Sequence, residues 1–344
     1  MRPVTVALIG CGAIAQKGYL PALALLNEIR CRWVIDAQGQ LAQALAQRWK
    51  IPHAGDDYSL ALEDAEVEAV ILAVPNHLHA SITLDVLAKK KAVLCEKPLA
   101  RTAMEARKMV EMAEQTHLPL VAGMTFRQYP PLQQIQKEFP WEVLGRIREV
   151  RASYGFPLDW PLSSPYLFDR EKVGGGVLID QGIHLVDSLF WVLSLREASV
   201  EEYFDDGESR MESEVKAHLS LALPEDREQV PCLLEASRLR RLGNRIELFG
   251  DRASLVIPLS STEAPHLLDG NLPRPVFEHP VAPRTGTGCF AEQLRAFAKR
   301  IRGLEANCAD GMSQIRVMEL VESCYMSRKP LTSMWETYEP WVKS

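Results

Sequence analysis

Short apolar runs alternate with longer segments of helical periodicity through the first part of the chain. The runs 4–9, 31–35, 67–74, 92–95 and 118–122 are β-branched or continuously apolar and predict five strands. Between them, 14–26, 38–49, 77–89 and 102–115 repeat apolar residues at helical spacing and predict helices. Strand and helix in alternation predict a parallel sheet, and right-handed crossovers then place helices on both of its faces. After position 123 the texture changes. One helix is predicted over 178–193, and strands at 198–203, 214–223, 232–238, 245–249 and 254–257 then follow one another without helices between them. Such a succession predicts an antiparallel sheet and an α+β domain. Helices at 290–302 and 311–327 close the pattern, and the proline-rich stretch 263–284 reads as loop.

A chain of 344 residues exceeds what one hydrophobic core usually organises, so two domains are expected, over 1–122 and 123–344. The formal charge of -6 comes from dispersed acids and bases with no basic stripe, which argues against a nucleic-acid partner. Seven cysteines, odd in number and without a C-x-x-C pair, read as reduced thiols of a cytoplasmic protein. The apolar run from Met1 to Gly10 is too short for a signal peptide, and no stretch reaches membrane-spanning length.

Candidate chemistry begins directly after the first predicted strand. Gly10-Cys11-Gly12-Ala13-Ile14-Ala15 is a G-x-G-x-x-A sequence opening a helix: Gly10 permits a tight turn, Gly12 makes room for a pyrophosphate, and Ala15 lets the helix lie close to the sheet. An anion then sits on free N–H groups at the helix start, contributed from Ala13 and Ile14 onward. The second strand ends on Asp36, placed to grip both ribose hydroxyls of a dinucleotide. Asp36 would repel a 2′-phosphate, and Ala37-Gln38-Gly39-Gln40 supply no Arg to accept one, which favours NAD over NADP.

Two more strand ends carry polar residues where parallel sheets bind ligands, Pro75-Asn76-His77-Leu78-His79 and Glu96-Lys97-Pro98. Lys97 can place a cation beside a reacting hydroxyl. His77 and His79, two apart at a helix start, point to different sides, so no metal is expected. The run Gly174-Gly175-Gly176-Val177-Leu178-Ile179-Asp180-Gln181-Gly182-Ile183-His184 puts a carboxylate and an imidazole one helical turn apart, behind three glycines that let another molecule approach closely.

Taken in order, Gly10 to Ala15, Asn76 with His79, Glu96-Lys97-Pro98 and Gly174 to His184 resemble the family of glucose-fructose oxidoreductase, inositol 2-dehydrogenase and rhizopine-catabolism dehydrogenases, over nearly the whole chain. The resemblance implies a Rossmann domain followed by an open, mainly antiparallel sheet, whose free face commonly builds homodimers or homotetramers. It implies NAD(P)-dependent hydride transfer at a secondary alcohol or ketone carbon of a sugar, sugar derivative or cyclitol. Lys97 matches the catalytic Lys, and Asp180 and His184 the acid/base pair; Pro75, Asn76 and His79 fall in the loop at the cofactor's inner end, and Glu96 near its ribose. Tyr19 stands where a His is common.

A carbinol loses hydride only as its hydroxyl proton departs, so a base and an alkoxide stabiliser must meet one oxygen. His184 is the expected base, because an imidazole titrates near neutrality, and Lys97 the stabilising charge. Asp180 is expected to accept a hydrogen bond from an adjacent hydroxyl. For the substrate, Arg127, Tyr154, Trp160 and Tyr166 are candidates; Trp160 and Tyr166 either stack on a sugar ring or simply pack. Arg127, Arg170, Lys172, Arg238 and Arg240 either cluster to suit a carboxylate or phosphate or are solvated surface charges. Two alternatives remain at this level, a reductase of a non-sugar ring and a catalytically silent sensor of dinucleotide or sugar.

Overall fold

The computed structural model describes residues 2–157, 166, 169–207, 211–224, 228–259, 263–269, 272–278 and 286–332, and Trp160 lies outside them. Strands β1 (Val4–Ile9), β2 (Ile29–Ile35), β3 (His53–Gly55), β4 (Ala69–Leu72), β5 (Ala92–Cys95) and β6 (Leu120–Ala122) run parallel in the order β3-β2-β1-β4-β5-β6. Every residue of β1, β4 and β5 is buried, as expected of central parallel strands covered by helices on both faces. The strand order reverses direction between β1 and β4, so the loops after these two strands diverge and leave a crevice at their carboxyl ends.

The second sheet is built from β7 (Ile147–Gly155), β8 (Glu197–Asp205), β9 (Glu214–Ala222), β10 (Val230–Ser237), β11 (Arg245–Gly250), β12 (Ser254–Pro258), β13 (His266–Asp269) and β14 (Leu272–Pro275). With β15 (Ala309–Asp310) joining the first sheet and β16 (Arg328–Pro330) the second, the second sheet runs β14-β13-β12-β11-β7-β10-β9-β8-β16. Its pairs are antiparallel except β7 with β10 and β8 with β16. On β9, Val215, Ala217, Leu219 and Leu221 are buried while the alternate positions are half-exposed, so one face carries the core. The helix Ile183–Val192 and the turn before it lie on β7 and β10, and the helix Gly311–Met326 lies on β8. One apolar core runs from Leu72 and Val93 of the first sheet through Leu178 and Ile183 to Leu219 and Leu234 of the second.

Several elements depart from the sequence pattern. β7 was not anticipated, because Arg148, Glu149 and Arg151 interrupt its apolar positions. β13 and β14 form a hairpin in the stretch expected to be loop; Pro273 and Pro275 are tolerated because β14 is an edge strand, where a missing N–H breaks no ladder. The expected helix over 14–26 is a π-turn, Ala15–Tyr19, in which the Leu20 N–H donates to the Ala15 carbonyl, followed by Leu20–Leu23. Pro21 has no N–H to donate to the preceding turn, which favours the looser winding. Segment 286–310, expected with the second domain, packs on the first sheet instead: β15 pairs with β6, and the helix Gly286–Ile301 buries Leu294 and Phe297 against Leu8 and Leu20.

Among the described residues no helix is long and apolar enough to cross a membrane. All seven cysteines are free, and five are buried.

Candidate active site

The crevice at the strand-order reversal begins with the glycine turn. Gly10 has φ +98°, and a Cβ there would lie 2.2 Å from the Ala73 carbonyl oxygen, so β1 and the end of β4 approach too closely for any side chain. A Cβ on Gly12 would meet nothing within 4 Å, which leaves open the space in front of the helix start. Asp36 Oδ2 accepts from the Cys11 N–H at 2.8 Å and Oδ1 from the Gln38 N–H at 2.9 Å. The carboxylate is thereby fixed at the end of β2, with lone pairs remaining for other donors. The open turn, the helix start and a fixed acid at the end of β2 fit a dinucleotide's pyrophosphate and ribose.

At the end of β5, Glu96 is buried and accepts from the Tyr19 hydroxyl at 2.6 Å and from the Lys97 N–H at 3.0 Å. Gln293 Nε2 donates to the same Tyr19 oxygen at 3.2 Å, so three segments meet on one buried carboxyl, whose pKa burial raises. Tyr19 therefore ties the glycine-turn helix to the strand bearing Lys97.

Lys97 Nζ donates to the Asp180 carbonyl and to Asp180 Oδ1, each at 2.7 Å. Burial opposes the charge on both groups. For Lys97 the neighbouring Asp180 carboxylate outweighs burial and raises the ammonium pKa, and for Asp180 the charges of Lys97 and Arg238 outweigh it and lower the carboxyl pKa. Both stay ionised at neutral pH. Arg238, just past β10, brings Nη2 to 3.8 Å from Asp180 Oδ2.

His184 is not oriented by Asp180, whose carboxylate turns to Lys97. Its ring stacks on Phe126 with centroids 4.6 Å apart, Tyr154 meets Phe126 edge-on at 5.2 Å, and His184 Nδ1 is buried without a partner. Burial, with Lys97 beside it, pulls the imidazole down to about 3, so the ring is neutral at physiological pH. Burial also pushes the Tyr154 hydroxyl up to about 12, and the charge of Asp180 adds to this; Tyr166 faces Lys97, Asp180 and Glu96 with its hydroxyl likewise raised.

The glycine run serves the protein's own packing. A Cβ on Gly175 would lie 2.1 Å from the Tyr325 hydroxyl oxygen, and one on Gly176 2.1 Å from the Glu212 carbonyl oxygen. Glu212 is fully buried; its Oε1 accepts from the N–H groups of Gly176 and Leu178 at 2.8 and 3.2 Å and from the Tyr325 hydroxyl at 2.7 Å. It satisfies N–H groups that a helix start leaves without acceptors. Glu212 and Tyr325 thus hold the start of the π-turn Leu178–Gly182 that bears Asp180. Neither stood out in the sequence. The only signal was the three glycines, which first suggested the approach of a second molecule.

Other candidates are occupied elsewhere. Arg127 Nε and Nη2 donate to Asp187 Oδ2 and Oδ1 at 2.9 and 2.7 Å, with further bonds to the Cys308 carbonyl and Ser313 hydroxyl. It is buried, which corrects the expectation that it meets substrate. Asn76 Nδ2 donates to the Val173 carbonyl at 2.9 Å, joining the loop after β4 to the second domain. His79 is fully buried, with ring nitrogens 2.8 and 2.9 Å from the Pro98 and Val74 carbonyl oxygens, and so braces the two strand-end loops. Arg170 is exposed, and Lys172 and Arg240 form exposed pairs with Asp169 and Glu214. Among the described residues no group of three or more His, Cys, Asp or Glu side chains is placed to hold a metal ion.

Residues 4–124 match the model of the Gfo/Idh/MocA oxidoreductase family with its NAD-binding Rossmann fold, and residues 133–256 match that family's C-terminal domain. The chain belongs to the Gfo/Idh/MocA family. It is 28% identical over 272 residues to an uncharacterised oxidoreductase of Rhizobium meliloti, covering 77% of this chain and 78% of that one. It is 32% identical over 195 residues to a D-glucoside 3-dehydrogenase of Escherichia coli, covering 56% and 54% of the two chains. A levoglucosan dehydrogenase of Pseudarthrobacter phenanthrenivorans is 29% identical over 200 residues, 54% of this chain and 50% of that one. The chain spans about half the length of these two sugar dehydrogenases. A 3-ketoreductase from Actinomadura kijaniata, in complex with NADP and TDP-benzene, superposes with a TM-score of 0.80 at 22% identity over 95% of this chain and 98% of that one. A levoglucosan dehydrogenase with NADH and levoglucosan gives 0.79 at 20% identity over 94% and 98%. These likenesses establish the fold expected from the sequence, a Rossmann domain followed by a mainly antiparallel sheet.

Proposed function

We propose that this protein transfers hydride between NAD and a secondary alcohol or ketone carbon of a sugar, sugar derivative or cyclitol. The observation that carries the reading is Lys97, a charged ammonium with two of its three protons on Asp180 and the third left for a substrate oxygen, beside a neutral imidazole. When bound, NAD supplies the hydride acceptor; Gly12, the helix start at Ala13 and Ile14, and Asp36 would hold it. Asp36, with no Arg in the four residues after it, favours NAD over NADP.

In oxidation the substrate hydroxyl donates its proton to neutral His184 while the Lys97 ammonium stabilises the alkoxide that forms. Asp180 keeps Lys97 charged and aimed, and its Oδ2 remains for a neighbouring substrate hydroxyl. In reduction the third Lys97 proton polarises the ketone oxygen, and the proton that completes the alcohol comes from solvent through the same imidazole, the reverse of its departure. The names of the sugar dehydrogenases and the 3-ketoreductase similar to this chain support a carbohydrate substrate. The proposal extends to a cytoplasmic homodimer or homotetramer joined through the helix-free face of the second sheet, which light scattering tests.

The deciding experiment follows nicotinamide absorbance with NAD and NADP, in both directions, against neutral sugars, sugar acids, sugar phosphates, inositols and their keto forms. Turnover with at least one sugar or cyclitol, faster with NAD, is expected; turnover with none of them would overturn the reading.

A further inference from the structure

Arg127 and Arg238 are the two arginines buried among the described residues, and they are satisfied very differently. Arg127 places Nε, Nη1 and Nη2 on four acceptors. Arg238 is 8% exposed, yet its Nε is sealed from solvent with no acceptor. Its nearest carboxylate oxygen, Asp180 Oδ2, is 3.8 Å from Nη2, beyond hydrogen-bond distance. Nη1 and Nη2 also make no hydrogen bond and, unlike Nε, are not sealed from solvent, so they are the donors of this charged fork that an acceptor from outside the chain can reach.

The placement says what kind of acceptor. One Asp180 oxygen holds Lys97 and the other faces Arg238, so the guanidinium stands across a single carboxylate from the cation that meets the reacting oxygen. The second nearby acid, Glu96, is bound to Tyr19 and to the Lys97 N–H. Two cations therefore share the single Asp180 carboxylate at the substrate end, and only Lys97 closes a hydrogen bond to it.

We propose that Arg238 binds an anionic oxygen group of the substrate, so that the molecule turned over is a sugar acid or sugar phosphate and not a neutral sugar. The inference rests on the sugar oxidoreductase reading and deepens it. The fork of a guanidinium matches a carboxylate or phosphate through paired hydrogen bonds. Because the site would leave buried donors unpaired when a neutral ring binds, it discriminates against neutral analogues.

The test compares kcat/KM with NAD for a hexuronate, a hexose phosphate and the neutral glycoside of the same ring, in the wild type, Arg238→Lys and Arg238→Gln. In the wild type one of the two anionic compounds should exceed the neutral one by about 10-fold or more, and which one it is separates carboxylate from phosphate. Arg238→Gln should shrink that ratio by about 10- to 100-fold, with Arg238→Lys between. Calorimetric titration of the NAD-loaded protein with the preferred anion should show the same order of affinities, with NAD affinity measured in each variant. A wild type that prefers the neutral glycoside, or a ratio unmoved by Arg238→Gln, would overturn the inference while the oxidoreductase reading stands. A loss of NAD affinity in Arg238→Gln would instead assign the guanidinium to the cofactor and also overturn it. If no compound is turned over, both fall together.

Discussion

Two aspartates about two turns apart on one helical segment, Asp180 and Asp187, each meet an arginine. Asp187 is fully buried; Arg127 grips both of its oxygens, Gln314 donates to Oδ1 at 2.7 Å, and Ser313 and Cys308 complete the guanidinium's bonds. Asp180 is 29% exposed on its side chain, shares its charge between Lys97 and Arg238, and leaves Arg238 Nε and, one turn on, His184 Nδ1 without partners. A buried ion pair whose hydrogen bonds all close inside the protein fastens elements together. One whose bonds remain open, beside a crevice, is poised for a ligand. Asp187 anchors the helix, and Asp180 is the partly exposed acid of the turn before it.

The comparison can be broken most directly at Lys97 and His184. Substituting either by Ala should lower turnover about 100- to 10,000-fold with NAD affinity nearly unchanged, and near-wild-type kinetics in both would remove the chemistry from this end of the helix. Next in size is Arg127→Ala, which strands Asp187 as a buried, uncompensated charge and should cost about 3–5 kcal/mol of stability in a denaturant titration. By contrast Asp180→Asn, which keeps the carbonyl that Lys97 also donates to, should cost less stability than Arg127→Ala while reducing turnover; equal destabilisation by the two changes would erase the distinction between anchor and site.

Smaller again is Gly176→Ala. Its Cβ would press on the Glu212 backbone, and overpacking of this kind costs about 1–3 kcal/mol. Thermal unfolding and kcat should fall together, because the clamp holds the turn bearing Asp180; an unaffected kcat in the folded variant would detach Glu212 and Tyr325 from catalysis. The smallest expected effect is in the pH profile. A lowered His184 pKa keeps the ring neutral as pH falls, so kcat/KM for a substrate that does not itself titrate should stay within about twofold between pH 7.5 and 5.5. An imidazole at the usual ~6.5 would lose about tenfold over that range.

Much of the first domain was legible because parallel strands buried on both faces read as unbroken apolar runs, as β1, β4 and β5 do. The glycine turn with Asp36 was legible for a similar local reason, since its geometry depends on residues close in sequence. In the second domain β7 and the β13–β14 hairpin were hidden, because half-solvated and edge strands carry charges and prolines that erase the alternation. The site was half visible: Lys97, Asp180 and His184 stood out by type and spacing. The identity of each one's partner did not, because Lys97 and Asp180 are 83 positions apart and the Arg127–Asp187 pair spans 60.

What the amino-acid sequence alone determined is local: a strand, glycine turn and helix that can hold a dinucleotide, a lysine at a strand end, and a carboxylate and imidazole one turn apart. Periodicity and backbone freedom act over a few residues, so these need no knowledge of the rest. Only the tertiary structure decided that Asp180 serves Lys97 and not His184, that Gly175 and Gly176 make room for Tyr325 and Glu212, and that of two buried arginines one is spent and the other open. Those outcomes depend on which distant groups burial brings within hydrogen-bond distance, and on which of them it leaves unmatched.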